Sequence, residues 1–380
     1  MRQTLLATQT EDEKVFLVGV ETKIPANGWS IDSSLEELSY LAETAGAKVV
    51  GRLTQKLKRP SSIYYLGRGK LEELISLRQQ CQYSTVIFND ELSPRQQRNL
   101  EEILKAKVID RTALILDIFA KRAQTREGQL QVELAQHQYL LPRLAGQWSH
   151  LERLGGGIGT RGPGESQLET DRRLIRNRIN RLKTHIEAVR QHRARYRQKR
   201  KQSQIPIVAL VGYTNAGKST LLNALSQAGV LVEDKLFSTL DPVTRRLVLP
   251  DKRQFLFTDT VGFIHKLPLS IVAAFRATLE ELTEADLLLH IVDITHQDAA
   301  EQCQTVEEIL TDLHLSDKPR LTVINKIDLV VENPEELAAL VISLGLSDDI
   351  AVAISALKGW GLDKLLDKIA AHLSQSPDTD

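Results

Sequence analysis

A glycine-rich segment, GYTNAGKST, carries the spacing G-x-x-x-x-G-K-[ST]. It follows the apolar run IPIVALV and precedes the helical pattern LLNALS, which is the strand, loop and helix order that this motif requires. Backbone N–H groups of such a loop point at phosphate oxygens, and the helix N-terminus adds its dipole. We expect Lys218 to reach the β and γ phosphates and Ser219 to ligate Mg²⁺. The predicted nucleotide contacts are Gly212, Tyr213, Thr214, Asn215, Ala216, Gly217, Lys218, Ser219 and Thr220.

A second motif, NKID, begins at Asn325 and predicts guanine rather than adenine as the base. It follows the buried-strand run PRLTVI, and ligands of α/β sheets bind where strands end. The carboxylate of Asp328 can accept hydrogen bonds from guanine N1 and N2, and adenine would leave that charge unpaired. We expect Asn325 to brace the phosphate loop and the stem of Lys326 to cover the base. In the later ISALKG segment, Ser355 and Ala356 are predicted contacts, the latter through its N–H to guanine O6.

The DTVG motif, which ends at Gly262, predicts the part of the site that senses the γ-phosphate. Asp259 is expected to bind Mg²⁺ through water, and the Gly262 N–H to contact the γ-phosphate. Upstream, FSTLDPVTRR predicts the first switch, with Thr239 as a Mg²⁺ ligand and Thr244 as the alternative. A plain turn formed by Asp241 and Pro242 is the other interpretation of that stretch. The order and spacing of all these motifs are typical of a translation-factor-type GTPase.

Phe263 stands directly after DTVG, where Ras-like enzymes place the glutamine that orients the attacking water. A phenyl ring cannot polarise water, so another group, a partner or an ion must assist, and slow intrinsic turnover is expected. Asn215 is the candidate ion ligand, because K⁺-dependent P-loop GTPases typically carry an asparagine here. Local hydrogen bonds within the loop are the alternative. The predicted catalytic residues are Lys218, Thr239, Gly262 and Asn215.

The charged residues are segregated although the formal net charge is zero, with 49 basic and 49 acidic residues. Residues 1–203 hold 35 Lys plus Arg and 23 Asp plus Glu, whereas residues 204–380 hold 14 and 26. Thirteen basic residues and one acid, Glu187, lie between Arg172 and Lys201. They distribute around a helix, as expected of an element surrounded by RNA phosphates. A solvated, salt-bridged helix is the alternative, but with one acid in the run we expect its basic residues to lack acidic partners. Predicted RNA contacts are Arg153, Arg161, Arg172, Arg173, Arg176, Arg178 and Arg181.

Four apolar runs in the N-terminal part predict strands: Val15–Val20, Ala47–Leu53, Thr85–Asp90 and Lys107–Asp110. Helix-like patterns separate them. Ser33 or Ser34 is expected to cap the first helix, and Ser93 to cap another that has Pro94 at its first position. This alternation predicts a small parallel sheet.

After Asp110 the strand pattern stops, and residues 112–152 and 166–201 predict two long antiparallel helices joined by a glycine-rich hinge. Pro142 is expected to kink the first. From Ile205 a second alternating series begins. The predicted organisation is an N-terminal α/β subdomain (1–111), a helical arm (112–203) with a glycine-rich loop (154–164), a Ras-like GTPase domain (204–375) and a tail (376–380).

Several classes of protein are excluded by the remaining features. No apolar stretch approaches the roughly 18 residues that span a bilayer, and no secretory signal opens the chain, so a cytosolic protein is expected. The cysteines, Cys81 and Cys303, show no metal-ligand spacing. We expect a monomer.

Several segments resemble the HflX family of ribosome-associated GTPases: FNDELSPRQQRNLEEIL, IDRTALILDIFAKRAQTREGQLQVELAQ, RLGGGIGTRGPGESQLETDRR, and GYTNAGKST with DTVGFI. The resemblance covers the chain from about Val15 to Ser374. It implies GTP hydrolysis, binding to the 50S subunit and its 23S rRNA near the peptidyl transferase centre, and splitting of stalled or idle 70S ribosomes.

Two rival hypotheses are an ATP-driven RNA remodeller, suggested by GRGK at Gly67–Lys70, and a signalling switch that binds a protein effector.

Overall fold

The computed structural model describes residues 13–22, 28–144, 163–201, 205–226, 236–268, 271, 281–336, 345, 347 and 350–375. Internal contacts divide the chain into two compact units, one of residues 1–25 with 30–117 and one of residues 26–29 with 118–380. Residues 118–203 of the predicted helical arm fall in the second unit, together with the predicted nucleotide-binding motifs, whereas residues 112–117 fall in the first. The predicted domain boundaries at 111 and 203 remain a proposal.

The first unit contains a four-stranded, wholly parallel sheet, as the alternating pattern predicted. Its strands are β1 (Glu13–Thr22), β2 (Ala47–Leu57), β3 (Thr85–Phe88) and β4 (Lys107–Asp110), in the spatial order β2-β1-β3-β4. Apolar side chains such as Phe16, Val18 and Phe88 form its core. Near-continuous apolar strands of this kind are typical of a parallel sheet buried on both faces.

Three helices of the first unit are α1 (Ile31–Thr44), α2 (Arg68–Cys81) and α3 (Pro94–Leu104). The prediction that Ser33 or Ser34 caps α1 is wrong, because Ser30 is the N-cap and its hydroxyl accepts the N–H of Ser33. The Ser93 cap of α3 is confirmed and includes a reciprocal bond with Gln96. Both caps satisfy N–H groups that lack partners within a helix.

The helical region contains α4 (Arg111–Arg122), α5 (Arg126–Leu140) and α6 (Pro163–Lys201). The prediction of one long helix over 112–152 is wrong, because Thr125 takes an extended conformation and caps a new helix by accepting the N–H of Gly128. Pro142 lies in a turn after α5 rather than inside a kinked helix. Helices α5 and α6 pack antiparallel through Leu134, Ile179 and Leu182. The predicted hinge, 154–164, lies largely outside the described residues.

The second sheet carries the nucleotide-binding motifs. Its strands are β5 (Ile207–Gly212), β6 (Val243–Val248), β7 (Gln254–Asp259), β8 (Leu287–Asp293), β9 (Arg320–Asn325) and β10 (Ala351–Ala353), in the order β10-β9-β8-β5-β7-β6. All pairs are parallel except β6 with β7. The described helices around it include α7 (Lys218–Ser226), α8 (Ala299–Asp312) and α9 (Leu362–Gln375). The predicted α/β fold is confirmed.

Parallel strands end at one edge of a sheet, so β5, β7 and β9 bring Gly212, Asp259 and Asn325 to the same edge. The site is therefore built where the topology places it. Within the described part of the chain, no helix is both long enough and apolar enough to cross a membrane.

Candidate active site

The phosphate loop depends on glycines that admit unusual backbone angles and close contacts. Gly217 has a φ of 97°, and a Cβ there would overlap the amide group of Asn325. Lys218 begins α7, and its Nζ donates to the carbonyl oxygens of Gly212 and Tyr213 at 3.1 and 2.6 Å. Burial lowers the pKa of Lys218 to about 8, while the charge of Asp259 opposes that shift. A phosphate next to this ammonium group would favour its charged form.

Three oxygen-bearing side chains meet beside the loop. The Ser219 hydroxyl lies 2.7 Å from that of Thr239 and donates to Asp259 Oδ2 at 2.6 Å, and Thr239 donates to the same oxygen at 2.9 Å. Thr244, the alternative ligand, instead bonds Thr258 at 3.0 Å between β6 and β7. The structure thus brings Thr239, and not Thr244, to Ser219 and Asp259.

The chemistry of this cluster suits Mg²⁺, which prefers carboxylate and hydroxyl oxygens. Asp259 is fully buried, and burial raises the pKa of its carboxyl group. Its Oδ1 is buried and has no hydrogen-bond partner among the described residues. A buried carboxylate oxygen without a partner is costly unless a cation or water satisfies it. Ser219, Thr239 and Asp259 therefore fit the ion.

The base-recognition motif is tied to the phosphate loop by Asn325. Its Nδ2 donates to Ala216 O at 2.8 Å, and its Oδ1 accepts the Ala356 N–H at 3.0 Å. Since Ala356 already donates to Asn325, its predicted bond to guanine O6 requires that this N–H be shared or released. Ser355 donates to Asp328 Oδ1 at 2.6 Å and so orients that carboxylate.

Lys326 makes an ion pair that the sequence did not predict. It has a left-handed φ of 62°, and its Nζ forms an ion pair with Asp293 at 2.7 Å. Asp293 ends β8, next to the strand that ends in Asn325. This pair fixes the Lys326 side chain at the sheet edge, which leaves the covering of the base as a proposal.

The residues after Asp259 pack against the phosphate loop through their backbone. The Phe263 N–H donates to Gly212 O at 3.1 Å, and Phe263 O accepts the Thr214 N–H at 2.8 Å. The phenyl ring is only 1% exposed and serves the core. At Gly262 a Cβ would lie 3.0 Å from Lys218 Nζ, so glycine keeps this approach open. Asn215 sits at the rim with a left-handed φ of 62°.

The pocket beside these groups is lined by residues from the phosphate loop, the predicted first switch and the DTVG segment: Thr214, Asn215, Gly217, Lys218, Ser219, Thr220, Phe237, Ser238, Thr239, Thr260 and Gly262. Its walls are mostly hydroxyl groups, backbone and one ammonium group. Such a lining suits a phosphate chain rather than an apolar ligand.

Sequence reasoning missed Trp29 as a support of this site. The Trp29 ring stacks on His265 at 4.6 Å with planes 9° apart, and its Nε1 donates to Thr305 at 3.3 Å. The backbone N–H of His265 in turn donates to the Tyr213 hydroxyl at 2.7 Å. These partners lie more than 180 residues from Trp29 in the chain, so no local pattern could have indicated the contact.

Helix α6 packs an apolar face on α5, and its arginines Arg173, Arg176 and Arg181 are exposed. Arg178 pairs with Glu133 at 2.6 Å, and Arg193 with Glu127 at 2.8 Å. The prediction that the basic run lacks acidic partners is wrong at these positions, because α5 supplies the acids. In the part that the structure describes, no carboxylate lies within ion-pair distance of Arg172, Arg173, Arg176 or Arg181. Arg153 and Arg161 lie outside the described residues.

The fold and the site define a P-loop GTPase. Comparison with families agrees: models described as GTP-binding GTPase N-terminal, GTP-binding GTPase Middle Region and 50S ribosome-binding GTPase match residues 32–120, 122–200 and 207–326. Relatives named GTPase HflX are 55% identical over 342 residues in Caldanaerobacter subterraneus and 44% over 346 residues in Escherichia coli. These alignments cover 90% of this chain in both cases, and 77% and 79% of the respective relatives.

The chain belongs to the HflX family of ribosome-associated GTPases, as the sequence motifs predicted; it binds guanine nucleotides and hydrolyses GTP. A third relative, GTPase HflX of Lacrimispora saccharolytica, is 50% identical over 369 residues, which cover 97% of this chain and 85% of the relative. A solved GDP complex of the protein SsGBP is also similar, with 29% identity, a TM-score of 0.50, and coverage of 95% of this chain and 99% of that one.

Proposed function

We propose that the protein binds the 50S ribosomal subunit as a monomer, contacts 23S rRNA through α6, and dissociates stalled or idle 70S ribosomes in its GTP-bound state. The observation that carries the proposal is the set of exposed arginines on α6 that have no acidic partner in the described structure. Arg173, Arg176 and Arg181 are all exposed, while Ile179 and Leu182 anchor the opposite face. An anchored helix with such guanidinium groups suits a phosphate-rich partner.

The nucleotide site supplies the switch for this binding. Lys218 would neutralise the β and γ phosphates, and Ser219, Thr239 and Asp259 would hold Mg²⁺, the last through water. Mg²⁺, when bound, stabilises the negative charge that develops on the phosphates during hydrolysis. Asp328 would select guanine by accepting its N1 and N2 hydrogens.

The group that replaces the glutamine is proposed to include K⁺. Phe263 is buried in the core, so its side chain takes no part in orienting water. Asn215 lies at the rim of the pocket, and its side-chain oxygen would hold K⁺ beside the β and γ phosphates. A cation there would add the positive charge that phosphoryl transfer needs.

The GTP-bound state is proposed to be the ribosome-splitting state because the γ-phosphate contacts differ between the two nucleotides. With GTP bound, Gly262 would contact the γ-phosphate and Thr239 would contact Mg²⁺, whereas GDP would offer neither contact. A ligand shifts a conformational equilibrium by its differential affinity for the two states. GTP would thus favour the conformation of the protein that separates the two ribosomal subunits.

The RNA-contact proposal is tested by sedimentation of the full chain with 50S subunits. Replacing Arg173, Arg176 and Arg181 with Glu should weaken binding by orders of magnitude. An arginine that neutralises an RNA phosphate releases a counterion, which favours binding, and each substitution removes this contribution. Wild-type affinity should fall on the order of a thousandfold between 50 and 200 mM salt if about six phosphates are bound. The matched control changes equal charge on the exposed residues Arg52, Lys58 and Arg59 of the first unit and should bind like wild type.

Neighbouring arginines of α6 sharpen the test. Arg176→Gln removes a cation without an acidic partner, whereas Arg178→Gln removes one already paired with Glu133. We expect the first to reduce the slope of log affinity against log salt by about 1 and the second to change it less. Equal sedimentation of the triple-Glu variant and wild type would contradict the RNA role of α6.

A further inference from the structure

Thr239 is held on both sides by residues two positions away. On its N-terminal side, Phe237 is 2% exposed and has a left-handed φ of 56°. Its ring packs edge-on against Phe119 of α4, with centroids 4.7 Å apart and planes at 89°. A non-glycine residue keeps such backbone angles only where packing enforces them. This contact anchors the segment that leads into Thr239.

On its C-terminal side, Asp241 is bound to the N-terminus of α5. Asp241 Oδ2 accepts the N–H groups of Gln124 at 2.9 Å and Thr125 at 2.8 Å, and Oδ1 accepts the Thr125 hydroxyl. Helix N-termini present N–H groups without intrahelical partners, and their dipole favours a negative charge. A carboxylate from a distant segment thus binds where α5 begins, rather than forming only a local turn.

Gly128 leaves room for this carboxylate. It lies in the first turn of α5, and a Cβ at that position would overlap Asp241 Oδ1. Gly69, the second residue of α2, also lies in a first helical turn, and a Cβ there would meet open space. Glycine weakens a helix relative to alanine, so its presence at 128 is explained by the approach of Asp241.

We infer that the break between α4 and α5 is a positioning device for Thr239, acting through Phe119 on Phe237 and through the first turn of α5 on Asp241. The inference rests on the proposed role of Thr239 as a Mg²⁺ ligand. Thr239 meets Ser219 and Asp259 in the same conformation in which Asp241 is bound to α5. By linkage, Mg²⁺ and GTP binding should stabilise the Asp241 contact as much as that contact favours their binding. Asp241 and Gly128 are positioning residues that do not touch the nucleotide.

The test compares Gly128→Ala with Gly69→Ala in the full chain. Both substitutions place alanine in a first helical turn, but only the first displaces Asp241. The Mg²⁺ concentration for half-maximal GTP hydrolysis should rise about five- to tenfold in Gly128→Ala, within the range typical of coupled sites. It should stay at the wild-type value in Gly69→Ala. GDP affinity should not change, because Thr239 is expected to contact only the GTP-bound Mg²⁺ site.

Asp241→Asn provides a second variant that keeps shape and removes charge. It should raise the Mg²⁺ requirement in the same direction, whereas a merely structural role would lower thermal stability without moving the Mg²⁺ requirement. Combined with Thr239→Ala, Gly128→Ala should add nothing further, since both act through one ligand.

The outcomes separate this inference from the proposal on which it rests. A higher Mg²⁺ requirement in Thr239→Ala, with Gly128→Ala and Asp241→Asn both behaving like Gly69→Ala, would overturn the positioning device alone. An unchanged Mg²⁺ requirement in Thr239→Ala would overturn the ligand role and the inference together. Additive effects of Gly128→Ala and Thr239→Ala would show that α5 acts by another route and would also overturn the inference.

Discussion

The two sheets differ at the edge where α/β proteins bind ligands. In the first unit, Arg111 follows β4 directly, is 2% exposed, donates to Asn89 Oδ1 at 3.1 Å and pairs with Glu37. In the second, β5 ends in a glycine loop that leaves a pocket lined by hydroxyl groups and Lys218. One edge is filled by the protein's own charged group, and the other is open to phosphates.

This comparison indicates that the residues at the ligand-binding edge of each sheet, rather than the sheet topology, decide which unit binds nucleotide. The GRGK segment, which suggested ATP binding in the first unit, forms the N-cap and the first turn of α2. Gly67 precedes α2 and its N–H donates to Gln55 at 2.9 Å, while Lys70 pairs with Glu73 at 2.8 Å. These contacts favour the structural interpretation of that segment.

The largest effect on stability is expected from removing Arg111, which fills the edge of the first sheet. Arg111→Met removes the partner of buried Glu37 and should lower the free energy of unfolding by about 3–5 kcal/mol, the cost of an uncompensated buried charge. Affinity for a GTP analogue should be unchanged in the folded fraction. Denaturant titration with nucleotide-binding controls measures both, and full stability with abolished GTP binding would break the comparison.

Altering base recognition at the open edge should have the next largest effect. Asp328→Asn should weaken GTP binding roughly 100-fold and favour xanthosine nucleotides, because an amide donates to the carbonyl that replaces the 2-amino group. Competition binding with GTP and XTP checks this. Ser355→Ala, which removes only the hydrogen bond that orients Asp328, should weaken binding less. An unaltered preference for GTP would remove Asp328 from the base site.

The buried lysine predicts a dependence on pH. Since burial lowers the pKa of Lys218 to about 8 in the nucleotide-free protein, the ammonium form is depleted as pH rises through that value. GTP-analogue affinity should therefore fall by up to about tenfold per pH unit above 8. In the unfolded chain, Lys218 holds its proton up to about pH 10.5, whereas in the folded protein it loses the proton above about pH 8. The nucleotide-free protein should therefore gain stability as the pH rises from about 8 to about 10.5. Flat affinity from about pH 7 to 9.5 would contradict the proposed ammonium contact.

The smallest expected effect concerns Asn215. If its oxygen holds K⁺, GTP hydrolysis should be several-fold faster in KCl than in NaCl at equal ionic strength, by added charge stabilisation at the phosphates. Asn215→Ala should abolish the difference between the two salts. Wild-type hydrolysis that is indifferent to the cation would eliminate the ion, leaving Asn215 as a residue of the loop.

Local motifs can be predicted from the sequence because the residues that form them are neighbours in the chain. The phosphate loop, the parallel sheets and the Ser93 cap follow from short-range patterns. The sequence did not predict the helix break at Thr125, because the surrounding residues favour helix. The carboxylate that accepts hydrogen bonds at this break belongs to Asp241, which lies more than 100 residues away in the chain. Acidic partners of α6 were missed because they lie on another helix.

The most direct test of ribosome splitting is sedimentation of the full chain with 50S and 70S particles in GDP or a non-hydrolysable GTP analogue. We predict nucleotide-dependent binding to 50S that is stronger with the analogue, and conversion of 70S into free subunits with the analogue but not with GDP. Lys218→Ala should abolish the difference between the nucleotides, because γ-phosphate recognition requires that ammonium group. Equal binding in both nucleotides, with 70S particles left intact, would contradict the proposed function.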